Sequence, residues 1–323
     1  MKKIGKRMGH CVSRALPVAL RTSSWFLKIM LPVSLFVTLL SYFDILPYIS
    51  SFAAPLFKWV GLPGDAALVF VTSIFTNIYT VIALLSTLDF TARECVIMAT
   101  MCLISHNFIV ETLVLQKTGS SFIGMIVLRI VMSFVAAFGL NILLPEMGEK
   151  MMKETLTVLP FWATMQHWLV NALFLSLKIV GVISGLMILQ RVLEEFGVLK
   201  VLSGLLSPLM RIFGLSPEVA FLWLVGNTVG LAYGSAIMLD CAKSGKLSHR
   251  EANLLNHHLA ISHSQLEDPL LFWVMGLPFW WLMLPRMVLA LIVVWIKRGE
   301  YFIRSRHDHE KWLVKSQVSN SLN

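Results

Sequence analysis

The chain consists mostly of apolar runs, separated by short stretches that are polar or contain proline. A helical run of about 20 apolar residues matches the thickness of the hydrocarbon core of a bilayer. The runs are longer than the short alternating segments that are typical of a membrane β-barrel. The pattern therefore predicts an all-α integral membrane protein. The predicted hydrophobic segments number about eight, at residues 25–46, 66–88, 92–115, 121–144, 168–190, 218–239, 250–272 and 273–296.

One polar stretch interrupts an apolar run twice. Residues 104–111 begin Ile-Ser-His and end on a glutamate, and residues 261–268 begin Ile-Ser-His and end on an aspartate. The two copies lie 157 positions apart, and an arginine follows each acid after 18 residues, namely Arg129 and Arg286. Ionisable side chains deep in a membrane require protein or water around them. We therefore expect the two stretches to line one shared polar cavity.

Further matched pairs occur in the same order in both halves of the chain. They are Leu27-Lys28-Ile29 with Leu177-Lys178-Ile179, Gly61-Leu62 with Gly214-Leu215, and Thr91-x-Arg93-Glu94 with Ser248-x-Arg250-Glu251. The sequence thus predicts two homologous repeats with interrupted or re-entrant helices, a common design in transporters. The predicted units are a basic segment at 1–24, a first repeat at 25–146, a charged connector at 147–167, a second repeat at 168–296 and a basic tail at 297–323. Parallel and inverted arrangements of the repeats both stay open.

The composition supports a membrane protein and weakens the case for other classes. Hydrophobic residues make up 57% of the chain and charged residues 14%, against about 25% charged residues in a soluble protein. The net charge of +9 is concentrated at the two ends, which predicts that both termini are cytoplasmic. No basic and aromatic module accompanies that charge, so we expect no nucleic-acid partner. The lipid bilayer is the expected surrounding, and homo-oligomerisation is left open.

The two capped helix starts have a sufficient structural explanation. Thr91 and Ser248 each precede a glutamate by three residues, which is the capping box that opens a helix. His106 then lies 12 residues beyond Glu94, or roughly 18 Å along a regular helix. On an unbroken helix His106 and Glu111 would point about 140° apart, so they serve one site only where the backbone breaks. Pro269, after the second acid, favours such a break.

The candidate binding residues are the polar side chains of the two stretches, the two arginines and two mid-span asparagines. They are Ser105, His106, Asn107, Glu111, Arg129, Ser262, His263, Ser264, Gln265, Asp268, Arg286, Asn77 and Asn227. The alternative is that they form a buried network that only holds helices together. For the two asparagines, that alternative is hydrogen bonding between helices.

Other polar groups indicate no catalytic or metal site. His257 and His258 are adjacent and therefore face different directions, and the four cysteines show no CxxC spacing. Cys95, Met98 and Cys102 share a helical face, which suits either a soft metal or ordinary packing. No nucleophile–base pair, phosphate loop or HExxH motif occurs. We therefore predict no enzyme activity, no metal site and no cofactor.

The Gly-Leu pairs, the Arg-Glu helix starts and the Ile-Ser-His stretches together resemble the nucleoside-recognition, or Gate, domain family. That family includes spore maturation membrane proteins, and the membrane part of ferrous-iron uptake proteins carries similar Gate motifs. The resemblance implies a protein of the bacterial inner membrane. It also implies a nucleoside-like ligand, by distant similarity to concentrative nucleoside carriers.

We therefore predict a secondary transporter of a small polar solute, either nucleoside-like or an anionic metabolite, with H⁺ or Na⁺ as the coupling ion. His106 and His263 would hydrogen-bond the solute or relay protons, and Glu111 and Asp268 would bind the coupling cation or hydrogen-bond donors of the solute. The two arginines would neutralise the acids or receive an anionic group. Two alternatives are a non-transporting scaffold or regulatory subunit and a divalent-metal permease.

Overall fold

In the computed structural model, residues 2–43, 45–147 and 160–321 are described, and every regular element in these ranges is a helix. A single 3-10 turn at Pro217–Val219 precedes α10. The helices are α1 (Lys2–Tyr42), α2 (Leu46–Lys58), α3 (Ala66–Phe75), α4 (Ile78–Leu85), α5 (Ala92–Ser105), α6 (Phe108–Lys117), α7 (Phe122–Leu143), α8 (Phe161–Glu195), α9 (Val198–Ile212), α10 (Ala220–Thr228), α11 (Leu231–Lys243), α12 (His249–Ser262), α13 (Glu267–Val274) and α14 (Phe279–Ser321).

The helical class is as predicted, but eight segments are not confirmed. Three helices among the described residues are long and apolar enough to cross a membrane: α7, α8 and Phe279–Ser305 of α14. The pair α5 and α6 makes a fourth if it is counted as one span, bent by 42°. The number falls because four predicted segments each divide into two short helices: α3 and α4, α5 and α6, α10 and α11, and α12 and α13. The predicted segment at 25–46 also falls short, since the apolar stretch found there is only Met30–Leu40 of α1.

The two ends of the chain differ from the expected separate basic segments. Helix α1 runs without interruption from Lys2 to Tyr42, through Pro17 and Pro32, and packs along α8. Cys11 and Ala19, from the basic part, are buried. At the other end, α14 continues through residue 297 to Ser321. Most of the charged connector, at 148–159, lies outside the described residues.

Both capping boxes form as predicted. The Thr91 hydroxyl accepts a hydrogen bond from the Glu94 backbone N–H, and the Glu94 carboxylate accepts one from the Thr91 backbone N–H. Ser248 and Glu251 make the same reciprocal pair at the start of α12. Each box satisfies two backbone donors that a helix start leaves without a partner. It also fixes where α5 and α12 begin, and therefore where their other ends lie.

Helices α6 and α13, which follow the breaks at His106 and His263, each pack into the apolar cluster of the other half of the chain. The first cluster is built on α3, α4 and α5, yet it includes Leu271 and Phe272 of α13. The second is built on α9, α10 and α12, yet it includes Leu115 of α6. Helices α5 and α12 thus lie at the centre, where Cys95 to Ser105 of α5 are buried throughout. The two halves are interlocked rather than placed side by side.

Gly61 holds a turn for which the structure leaves no room for a side chain. Its φ is +72°, in the left-handed region that favours glycine. An added Cβ would overlap the side chain of Asn141, whose Oδ1 accepts a hydrogen bond of 2.9 Å from Arg93. The turn thereby joins α2 to the end of α7 and the start of α5.

The substitution Gly61→Ala should lower the stability of the purified protein by about 1–2 kcal/mol or more, because it adds left-handed strain to a steric overlap. Gly139→Ala is the matched control, since an added Cβ there has no heavy atom within 4 Å and alanine favours the helix. The measurement is thermal melting in detergent. Equal melting temperatures for the two variants would contradict the described turn.

Candidate functional site

Helix α5 ends at a break built from His106 and Asn107. His106 is extended, with ψ of 161°, and Asn107 adopts a left-handed conformation with φ of 46°. Asparagine tolerates this conformation better than most residues. The Asn107 backbone N–H donates to the backbone oxygens of Ser73 (3.0 Å) and Thr76 (2.8 Å), at the break between α3 and α4. Two breaks of the first half therefore cross and bind each other through main-chain atoms.

The second half contains the same crossing. His263 is extended with ψ of 159°, and Ser264 is left-handed with φ of 52°. The Ser264 N–H donates to the Gly226 carbonyl (3.2 Å), and the Leu266 N–H donates to the Asn227 carbonyl (3.3 Å). These acceptors lie next to the break between α10 and α11. The interruption that Pro269 favoured therefore precedes the proline, at His263 and Ser264.

The two arginines satisfy backbone carbonyls that the breaks leave without a helical partner. Arg129 Nε donates to Ile104 O (2.8 Å), and its Nη2 donates to His106 O (2.7 Å). Arg286 makes the matching bonds, from Nε to Ile261 O at 2.9 Å and from Nη2 to His263 O. Both side chains are fully buried. Since an unpaired carbonyl is costly where water is absent, the arginines make these breaks tolerable inside a membrane.

The same backbone geometry orients both imidazole rings. His106 Nδ1 lies 3.0 Å from Cys102 O, and His263 Nδ1 lies 2.9 Å from Leu259 O. Each contact reaches the carbonyl four residues earlier, so both rings fold back on their own helix. Their Nε2 atoms therefore face the space between the two breaks, which we call the centre. The two ring centroids lie 5.3 Å apart there.

Glu111 lies between the two histidines. Its Oε2 is 2.6 Å from Arg129 Nη2 and 3.2 Å from His263 Nε2, while its Oε1 is 3.3 Å from His106 Nε2. Asp268 Oδ2 approaches the same His106 Nε2 at 3.8 Å. Ionisable groups from both halves thus meet at one point. They contact one another directly, whereas the sequence led us to expect them to line a cavity.

The two acids differ in their hydrogen bonding. Glu111 receives a short bond from Arg129, but Asp268 Oδ2 and Arg286 Nη1 are buried without a hydrogen-bond partner. His263 Nε2 is also buried without a hydrogen-bond partner, and it lies 3.2 Å from Glu111 Oε2. The second half therefore contributes unsatisfied polar atoms to the centre.

The serine and asparagine candidates divide into local capping roles and main-chain roles. The Ser105 hydroxyl donates to Met101 O, and that of Ser262 lies 2.7 Å from His258 Nδ1. Asn77 caps α4, and its Oδ1 accepts hydrogen bonds from the backbone N–H groups of Tyr79 and Thr80. Asn227 Nδ2 donates to Trp223 O. These four side chains bond within or beside their own helices.

Four of the candidate residues keep polar atoms or main-chain groups near the breaks. Both amide atoms of the buried Gln265 lack a hydrogen-bond partner, as does Asn227 Oδ1. Asn107 and Ser264 act through their backbone at the crossings described above. The geometry gives the central positions to the histidines, the acids and the arginines.

Sequence reasoning missed two contacts that join the halves. Tyr79 of α4 donates to Glu267 Oε1 of α13 at 3.1 Å. Thr118 and Ser120, in the turn after α6, hydrogen-bond Asn256 of α12. Glu267 directly precedes Asp268, and Tyr79 lies two residues after Asn77, so each is near a predicted site residue. They are 188 residues apart in the chain, however, so the sequence did not indicate that they are in contact.

Comparisons with known proteins indicate the family of this chain. The family model for the Gate domain, described as nucleoside recognition, matches residues 23–121. The chain is 30% identical over 279 residues to the uncharacterized membrane protein YvoD of Bacillus subtilis (strain 168), covering 84% of this chain and 89% of that protein. No solved structure matches.

Apolar helices of membrane-spanning length, together with an ionisable cluster at crossed helix breaks, define a helical membrane protein. The chain belongs to the Gate-domain, nucleoside-recognition family of membrane proteins.

The left-handed turn at Asn107 can be tested by stability alone. Asn107→Val should lower the melting temperature in detergent, because a β-branched residue in this conformation costs about 1–2 kcal/mol or more. Asn107→Gly should melt close to the unmodified protein, since glycine adopts the turn without strain. If the valine variant melts no lower than the glycine variant, the break does not have the described backbone.

Proposed function

We propose that this protein is a secondary transporter of a small polar solute, with its site where the broken helices α5–α6 and α12–α13 meet. The proposal rests on one observation: His106, Glu111, His263 and Asp268 come together from both breaks. Buried ionisable groups in a membrane protein mark a functional site by default, because a purely structural contact does not require them. Interrupted helices are also a recurring feature of transporter sites.

We further propose that the two halves are homologous repeats, the arrangement in which transporters place a site at the repeat interface. The matched interactions support this. Arg129 and Arg286 bond carbonyls 25 residues earlier, and each histidine bonds the carbonyl four residues earlier. The crossings through Asn107 and Ser264 are also equivalent in kind. Alternating access would then change how the two crossings lie relative to each other.

The geometry supports distinct roles for the charged residues. Arg129 neutralises Glu111, with which it forms a 2.6 Å ion pair. Arg286 keeps one N–H group without a partner, so it is the proposed contact for an anionic group of the solute. Glu111 and Asp268 would hold the coupling cation, H⁺ or Na⁺, and the two histidines would bind solute or relay protons. The solute is nucleoside-like or an anionic metabolite.

The substitutions His106→Ala and Glu111→Gln should each abolish uptake, because both remove a group from the centre. The assay uses purified protein in liposomes and a panel of radiolabelled nucleosides and small anionic metabolites, under imposed proton and sodium gradients. His257→Gln is the matched control, since its ring bonds Asn253 O on its own helix and should leave uptake intact.

Insertion of every variant is verified by its yield in the membrane fraction. Normal uptake by both central variants would refute the site. Absence of uptake by the unmodified protein across the panel would refute transport of these solutes and favour a scaffold.

A further inference from the structure

We infer that His106, His263, Asp268 and Glu111 form a binding site for a divalent first-row transition metal. The inference rests on the proposed function, because it places the ligand at the same centre. It identifies the bound cation or solute as a metal of this class. Among the described residues, His106, His263 and Asp268 form a group whose ligand atoms all lie within 4.8 Å of one another. Glu111 adds a carboxylate between the two histidines.

The hydrogen bonds of the rings point their free nitrogens at the centre. A carbonyl oxygen only accepts, so the bonds to Cys102 O and Leu259 O place a proton on each Nδ1. A neutral ring then presents an Nε2 lone pair inward. A backbone carbonyl that receives the second ring N–H is the usual partner of a metal-bound histidine, because it fixes the tautomer and the ring orientation.

The distances fit metal ligands better than hydrogen bonds. A charge-assisted N–H···O bond has a length of about 2.7–2.9 Å. The Glu111 oxygens lie farther off, at 3.3 Å from His106 Nε2 and 3.2 Å from His263 Nε2. Ligands about 2.1 Å from a tetrahedral ion are separated by about 3.4 Å. The two Glu111 contacts therefore match ligand–ligand edges, and Asp268 Oδ2, at 3.8 Å from His106 Nε2, requires only a small approach.

Unsatisfied atoms at the centre support the same conclusion. His263 Nε2 and Asp268 Oδ2 are buried without hydrogen-bond partners, and their residues are 1% and 6% exposed. A buried acceptor without a donor is costly, and a second acceptor beside it adds repulsion. A cation between these atoms would satisfy them together.

The local charge does not prevent a dication from binding. Arg129 and Arg286 oppose Glu111 and Asp268 one for one. Each guanidinium also donates to two carbonyls at the end of α5 or α12, where a helix carries a partial negative charge of about one half. Two such helix ends and two carboxylates surround the histidines.

The ligand set indicates which metals would bind. Two imidazoles with carboxylates favour zinc, cobalt, nickel or iron over magnesium and calcium, which take oxygen ligands. The metal site inferred here is therefore different from the cysteine-containing helical face that the sequence offered for a soft metal. Cys95 and Cys102 are buried within α5, where Cys102 Sγ contacts Met98 Sδ at 3.7 Å, and they stand outside the His–His–Asp group.

The test is a Co²⁺ titration of chelator-treated full-length protein in detergent, followed by visible absorption and metal analysis. We expect one Co²⁺ per chain, with the ligand-field bands of a four-coordinate nitrogen and oxygen site, displaced by Zn²⁺ but not by Mg²⁺. His263→Gln and Asp268→Asn should each weaken binding about 100-fold or more, since changes at even the outer partners of a metal cost 10–100-fold. His257→Gln and Cys95→Ser should leave it unchanged.

Each outcome is decisive. A thiolate charge-transfer band, or loss of binding in Cys95→Ser, would overturn the histidine site in favour of the cysteines. Stoichiometry below one, or equal displacement by Mg²⁺, would reduce it to an adventitious ion only. The unmodified protein carries the spectral result, so the inference is tested even if a variant fails to insert. Metal binding without uptake would refute transport alone, whereas uptake of an organic solute without metal binding would refute this inference alone.

Discussion

The structure depends on hydrogen bonds from two buried arginines to the carbonyl ends of two broken helices. A helix that stops inside a membrane leaves backbone carbonyl oxygens without a helical donor, and no water is present to donate a hydrogen bond to them. Arg129 and Arg286 fill that role for α5 and α12, each with two donors. Without them, the turns that bring the histidines together would expose unpaired carbonyls. The arginines therefore act first on the backbone, and one of them, Arg129, also fixes an acid.

The repeated Ser-His stretches and the constant distance to each arginine were enough to predict the central residues. The capping boxes were predictable because they depend on residues three apart. The lengths of α1 and α14 were not predictable, because charged residues near a membrane edge are compatible with either a helix or a coil. The breaks beside Asn77 and Gly230 could not be placed from local pattern, since the carbonyl oxygens next to them accept hydrogen bonds from Asn107 and Ser264, which are distant in the sequence. Local pattern fixes a side chain's chemistry, whereas the partner depends on the fold.

The crossings are made by main-chain atoms, while the centre is made by side chains. Ser73 and Thr76 contribute carbonyl oxygens, so substitution of their side chains need not alter the hydrogen bonds. The Glu111 and Asp268 positions, in contrast, differ in their partners although they match in the sequence. A constant frame thus supports a centre that is chemically unequal in its two halves, with one acid paired and the other available.

The exchange of α6 and α13 between the two apolar clusters has a consequence for biogenesis. Leu115 packs into a cluster formed largely by residues that the ribosome adds much later, from Leu199 onward. Until that part is synthesised, α6 can pack only on its first-half neighbours, α7 and α3, and lacks α11 and α12. Assembly of this protein is therefore completed only late in translation, and the insertion machinery has to shelter an unfinished intermediate in the meantime.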